Sequence, residues 1–172
     1  MSPQYPVDLR DPDSHELARR IGSAWIEIRR GASMAALRDH LFGTGDDALE
    51  QGQMDTLDLL ATQASWRMSD LAEALRVDPS TATRAMQRLV NVGLACRKPS
   101  DDDGRVVMAA ITPAGRARHA EVAERRAELM VHLLGSFSPA DRAVLASMLE
   151  RFVGSVDDFV AHLDTRDNTE SA

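Results

Sequence analysis

Asp78-Pro79-Ser80-Thr81-Ala82-Thr83-Arg84-Ala85-Met86-Gln87-Arg88-Leu89-Val90-Asn91-Val92-Gly93 has the marks of one short helix with two unlike faces. Asp is a good N-cap, Pro suits the first helical position, and Gly is the commonest residue just past a helix end. On a period of 3.6 residues, Ala82, Ala85, Met86 and Leu89 fall on one side and can pack inward. Arg84, Gln87 and Arg88 share the other side. Ser80, Thr81 and Thr83 put small hydroxyls near the N-terminus, where backbone amides can approach phosphate and hydroxyls can reach base edges.

The segments on either side extend this helix into a motif. Ser69 is placed to cap a shorter helix over Leu71, Ala72 and Leu75, which Val77-Asp78-Pro79 breaks. After Gly93 the period changes: Leu94 to Lys98 and Val106 to Thr112 are short β-tolerant runs joined by the polar stretch Pro99 to Gly104. Helix, turn, helix and a two-stranded hairpin, from about Met68 to Thr112, make a winged helix-turn-helix. Charge distribution agrees with this order. The 172 residues carry a net charge of -7, which argues against nucleic acid as a partner, yet Pro79 to Lys98 holds Arg84, Arg88, Arg97 and Lys98 and no acid. Taken singly, the hydroxyls are ordinary caps and the arginines a solvated face; together with the turn and hairpin they point to double-stranded DNA.

Amphipathic helices flank the motif. One is predicted from Ser14, as N-cap, to about Leu41, with Leu17, Ile21, Ala24, Trp25, Ile28 and Ala32 in a stripe. Gly43-Thr-Gly-Asp-Asp47 marks a loop, and a short helix follows near Gln53 to Ala64 with Met54, Leu57, Leu60 and Ala61 inward. Pro113 opens a helix to about Leu134, and Ser138-Pro139 another from Ala140 to about Leu163. In the last, Val144, Leu145, Met148, Leu149, Phe152, Val153, Val156, Phe159, Val160 and Leu163 recur at helical spacing. The expected fold class is mainly α with a small β-hairpin wing. Residues 13–163 read as a single domain, with 1–12 and 164–172 as flexible tails, 53–112 as the winged helix-turn-helix, and 13–42 and 113–163 as the helical scaffold.

Gln53-Met-Asp-Thr-Leu, Leu71-Ala-Glu-Ala-Leu, Asp78-Pro-Ser-Thr-Ala-Thr-Arg84, Gly93-Leu, Asp103-Gly-Arg105 and Ile111-Thr-Pro-Ala-Gly115 together resemble the MarR family of bacterial regulators over about residues 53–116. The resemblance implies that Arg105 is a wing arginine reaching the minor groove and that Asp103 orients its guanidinium. Gly104, Val90 and Ile111 depart from the residues usual in the family at those places. The resemblance also implies that 13–42 and 113–163 are dimerisation helices, so that a homodimer presents two reading heads to a palindromic operator, acting as a repressor released by a small aromatic or anionic effector. Trp25, Met54, Trp66 and His119 are of the types that line small-molecule cavities, although core packing is the readier explanation for each. The family's peroxide sensors carry a reactive cysteine in the first helix; the one cysteine here, Cys96, falls in the first wing strand, where a small buried hydrophobe is expected.

A single cysteine permits neither an intrachain disulfide nor a Cys-rich zinc site, and the five histidines are dispersed, so no metal or cofactor is expected. There is no Gly-rich phosphate loop or nucleophile elbow, and an enzyme is not expected. No apolar run approaches a membrane span, and the first residues lack a signal-peptide profile, which points to the cytoplasm. Two alternatives stand beside the DNA-binding regulator: a winged helix used as a protein-interaction module, and a metal-responsive sensor.

Overall fold

The computed structural model describes residues 5–45, 48–100 and 106–170, with side chains as far as 163. Its elements run α1 (Pro12–Arg30), α2 (Ala32–Phe42), α3 (Gln51–Thr62), β1 (Trp66–Arg67), α4 (Met68–Ala74), α5 (Pro79–Asn91), β2 (Ala95–Pro99), β3 (Val107–Ile111), α6 (Pro113–Gly135) and α7 (Pro139–Glu170). The architecture is mainly helical with a small antiparallel sheet, as the sequence predicts.

Several boundaries differ, each for a local reason. The first predicted helix is two, because the chain is extended at Gly31, with ψ 144°. Its N-cap is Asp11, whose carboxylate accepts from the Ser14 amide at 2.8 Å, so Ser14 lies inside the first turn. Arg67 takes the cap position of α4, and Ser69 lies within that helix with its hydroxyl on Asp70 Oδ1 at 2.8 Å. The sheet has three strands in the order β1-β3-β2, not two. β1 pairs Trp66 with Ala109 and Arg67 with Met108, and two residues are too few to show an alternating pattern in the sequence. α7 continues past Leu163 to Glu170, since 164–170 contains no proline or glycine to stop it.

The core forms where α3, α4, α5 and the sheet meet. Met54, Leu57, Leu60, Leu71, Met86, Leu89 and Ala109 are fully buried, and Val122 of α6 completes the cluster. Ala61, read as inward, is exposed near the end of α3. The packing divides the chain into two units, one ending at Arg125 and one starting at Arg126. Val122 is the last buried residue of α6, and none of the described residues from 126 to 163 is buried.

The junction of wing and α6 shows why Thr112 and Gly115 are the residues present. The Thr112 hydroxyl donates to the Gly93 carbonyl at 2.7 Å and accepts from the Gly115 amide at 3.0 Å, while the Thr112 amide donates to the Leu94 carbonyl at 3.1 Å. Gly115 is buried so close to that carbonyl that a Cβ would collide with it. Gly93, with φ 74°, supplies the left-handed turn that ends α5 and starts β2.

Candidate nucleic-acid interface

α5 is amphipathic as its sequence predicts. Ala82, Met86 and Leu89 are fully buried, and Ser80, Thr81, Thr83, Arg84, Gln87 and Arg88 are exposed together on the other side. Asp78 organises the N-terminus: its carboxylate accepts from the Ser80 hydroxyl at 2.5 Å, the Thr81 hydroxyl at 2.6 Å and the Thr81 amide at 2.9 Å. The Ser80 hydroxyl, then the hydroxyl and amide of Thr81, hold the Asp78 carboxyl far below the usual carboxylate range. Both hydroxyls thereby have their protons committed to Asp78 and can act toward a ligand only as acceptors. Thr83 donates to the Pro79 carbonyl at 2.7 Å, and Arg84 reaches back to the Ser80 hydroxyl at 3.3 Å. The result is a polar, pre-ordered helix start with a guanidinium at its side.

Two links across this face are absent from the local sequence pattern. Arg97 of β2 donates to Gln87 Oε1 at 2.6 Å, and Gln87 in turn donates to Asn91 Oδ1 at 2.8 Å, so the wing strand is tied to the exposed side of α5. Arg88 forms an ion pair with Glu50, the residue that precedes α3. The basic stretch contains no acid along the chain, but folding brings one to it from 38 residues away. No short-range signal could have announced either contact.

The hairpin pairs Ala95 with Ile111 through Pro99 with Val107, and the Ser100 amide donates to the Val106 carbonyl at 2.8 Å. The predicted wing pair, Asp103 and Arg105, lies outside the described residues. Cys96 is exposed, against the expectation of a buried residue, because β2 alternates and it is Ala95 that faces the core.

The four residues named as candidates for cavity lining are not brought together around one cleft. Met54 is fully buried in the core. Trp66 packs against the same core with its indole donating to the Leu59 carbonyl at 2.9 Å. His119 lies 3.2 Å from Asp58 Oδ1, joining α6 to α3, and Trp25 is about half exposed on α1. None of them lines either of two clefts in this unit. One, of about 320 Å³, is bounded by Leu49, Gln53, Leu94 and Arg118 among others. The second, of about 360 Å³, lies beside the α1–α2 break. Among the described residues there is no cluster of three or more His, Cys, Asp or Glu placed to hold a metal ion, and no helix long and apolar enough to cross a membrane.

Residues 49–107, which cover α3, the helix-turn-helix and the start of β3, match the MarR family model. The HTH-type transcriptional regulator YdgJ of Bacillus subtilis is 24% identical over 113 residues, 66% of this chain and 69% of that protein. Among solved structures, FabT of Streptococcus pneumoniae in complex with DNA superposes with a TM-score of 0.70 at 23% identity, over 83% of this chain and 99% of FabT. PcaV of Streptomyces coelicolor, solved with its natural ligand, superposes with a TM-score of 0.59 at 21% identity, over 89% of this chain and 99% of PcaV. With the family pattern seated on the unit that carries α5 and its wing, and a fold shared with solved MarR-type structures, the chain is similar to the MarR family of transcriptional regulators over residues 49–107.

Proposed function

We propose that this regulator is a homodimeric, sequence-specific repressor that reads a palindromic operator with α5 in the major groove and the wing in the adjacent minor groove. The exposed face of α5 carries the reading: hydroxyls of Ser80, Thr81 and Thr83, then Arg84, Gln87 and Arg88, all on a helix whose other side is locked into the core. Asp103 and Arg105 supply the wing contact in this scheme. That FabT crystallised with DNA on the same fold supports it.

Dimerisation is the reading that best accounts for the flanking helices 13–42 and 113–163. α1 has no buried residue, and Leu17, Ile21, Trp25 and Ile28 are each about half exposed. On α7, Val144, Met148, Phe152, Val156 and Phe159 are 39–63% exposed within the chain. A two-fold pairing of such faces would set two copies of α5 about 34 Å apart, one turn of duplex. Release by a small aromatic or anionic effector is the corresponding proposal for control, supported by the ligand-bound state of PcaV.

Selection of bound fragments from genomic DNA tests the reading. A palindromic consensus is expected, with affinity falling steeply as salt rises and at least tenfold weaker in Arg84→Ala. Failure to enrich any duplex at low salt would replace this reading with that of a protein-interaction module. Titration of small aromatic acids into the preformed complex tests release, and sedimentation of the free protein tests the dimer.

A further inference from the structure

Arg29, Arg30 and Arg38 line the cleft of about 360 Å³ at the break between α1 and α2, with Gln51 of α3 at its edge and Ile28 and Met34 among its apolar walls. No acid lines it. Some arginines elsewhere pair with carboxylates, Arg19 with Glu16, Arg118 with Glu121 and Arg88 with Glu50, and others with carbonyl or side-chain oxygens, as Arg97 with Gln87 and Arg142 with the Leu134 carbonyl. Among the described residues, Arg29, Arg30 and Arg38 have no ion pair. Glu27 is near, but its carboxylate folds against Gly31. Arg29 and Arg30 lie in the last turn of α1, where cations offset the helix dipole, yet that effect does not draw Arg38 of α2 into the same cleft.

We infer that Arg29, Arg30 and Arg38 form a phosphate site, whose occupant is a DNA backbone phosphate flanking the base pairs read by α5. Three guanidinium groups around one concavity repel one another and are matched by an oxyanion whose oxygens accept several N–H groups at once. Position selects the backbone as the source. Gln51 at the edge of the cleft follows Glu50, and Glu50 meets Arg88 on the exposed face of α5, so the cleft adjoins the reading face. The Gln51 side-chain amide donates to Asp55 Oδ1 at 2.7 Å, which holds that edge in place. The site rests on the DNA-binding reading and extends its footprint beyond α5 and the wing.

The experiment uses the full chain and a triple variant, Arg29→Gln, Arg30→Gln, Arg38→Gln, all exposed positions, with the thermal midpoint checked against wild type. On the selected operator with long flanks, the variant is expected to bind at least tenfold more weakly at low salt. The slope of log affinity against log salt should be shallower by about one to two, since each phosphate contact contributes roughly 0.9. Base preference should not change. On duplexes trimmed to the α5 footprint the two proteins should bind alike. Inorganic phosphate, titrated without DNA and followed by arginine side-chain NMR, should perturb wild type and not the variant. An unchanged slope with no phosphate response overturns the site. A phosphate response with an unchanged slope overturns the backbone as its source. If wild type binds no duplex while phosphate still binds, the DNA reading fails and the oxyanion site stands without it.

Discussion

Arg88, on the exposed side of α5, and Glu50, just ahead of α3, form an ion pair whose side chains are 53% and 67% exposed. Such exposed pairs contribute at most about 1 kcal/mol to stability. Their larger consequence is for binding, because a guanidinium held by a carboxylate is only partly available to phosphate, and the carboxylate itself repels DNA. Glu50→Gln is therefore expected to raise affinity for duplex several-fold at low salt and to steepen the salt dependence. The same substitution in an Arg88→Ala background should have little effect. Anisotropy titrations at three or four salt concentrations decide the matter; equal affinities for wild type and Glu50→Gln would mean the pair is idle.

Asp78 caps α5 through three hydrogen bonds, and its folded-state pKa is depressed chiefly by the Ser80 hydroxyl. A depressed carboxylate pKa means that the ionised form favours folding. Its contribution is complete above the unfolded value of about 3.9 and is lost as pH falls toward the folded value. Asp78→Ala should thus lower the thermal midpoint near neutral pH, and the gap from wild type should narrow on acidification below about pH 4. Asp78→Asn, which keeps an acceptor, should cost less at neutral pH. Calorimetry between pH 7 and pH 2.5 measures both; a gap that does not shrink would show that the charge adds nothing to the cap.

Gly115 sits where a Cβ would strike the Leu94 carbonyl and come within 2.9 Å of Ile111 Cγ1. The obstacle is backbone, which cannot rotate away. Gly115→Ala should destabilise by about 1–3 kcal/mol or more, by forcing β2 and α6 apart. Urea unfolding of the purified variant provides the number, and a change below about 0.5 kcal/mol would mean that the helix start shifts freely.

Met54 is fully buried beside Leu57 and Leu60. Its truncation to alanine should cost about 2–5 kcal/mol, the range for removing a large core side chain. Trp66→Phe removes the indole hydrogen bond to the Leu59 carbonyl together with part of the ring packed on the core, and should cost about 1–3 kcal/mol. If Met54 instead lined a ligand cavity, Met54→Ala would change effector response with little loss of stability. Chemical unfolding with and without effector separates the two.

The amino-acid sequence by itself determined the helix from Pro79 to Asn91 and its two faces, because capping residues and a 3.6-residue period act within one element. The wing strands were legible for the same reason: Gly93 and the polar run after Pro99 bound them locally. Tertiary structure alone decided what each exposed side chain meets. Glu50 reaching Arg88, Arg97 reaching Gln87 and β1 joining β3 are contacts between separate elements, and Cys96, expected buried, turned outward. Periodicity says which side of a helix or strand is apolar, but a partner comes from the packing of elements far apart in the chain, and packing is set by the shape of the whole core.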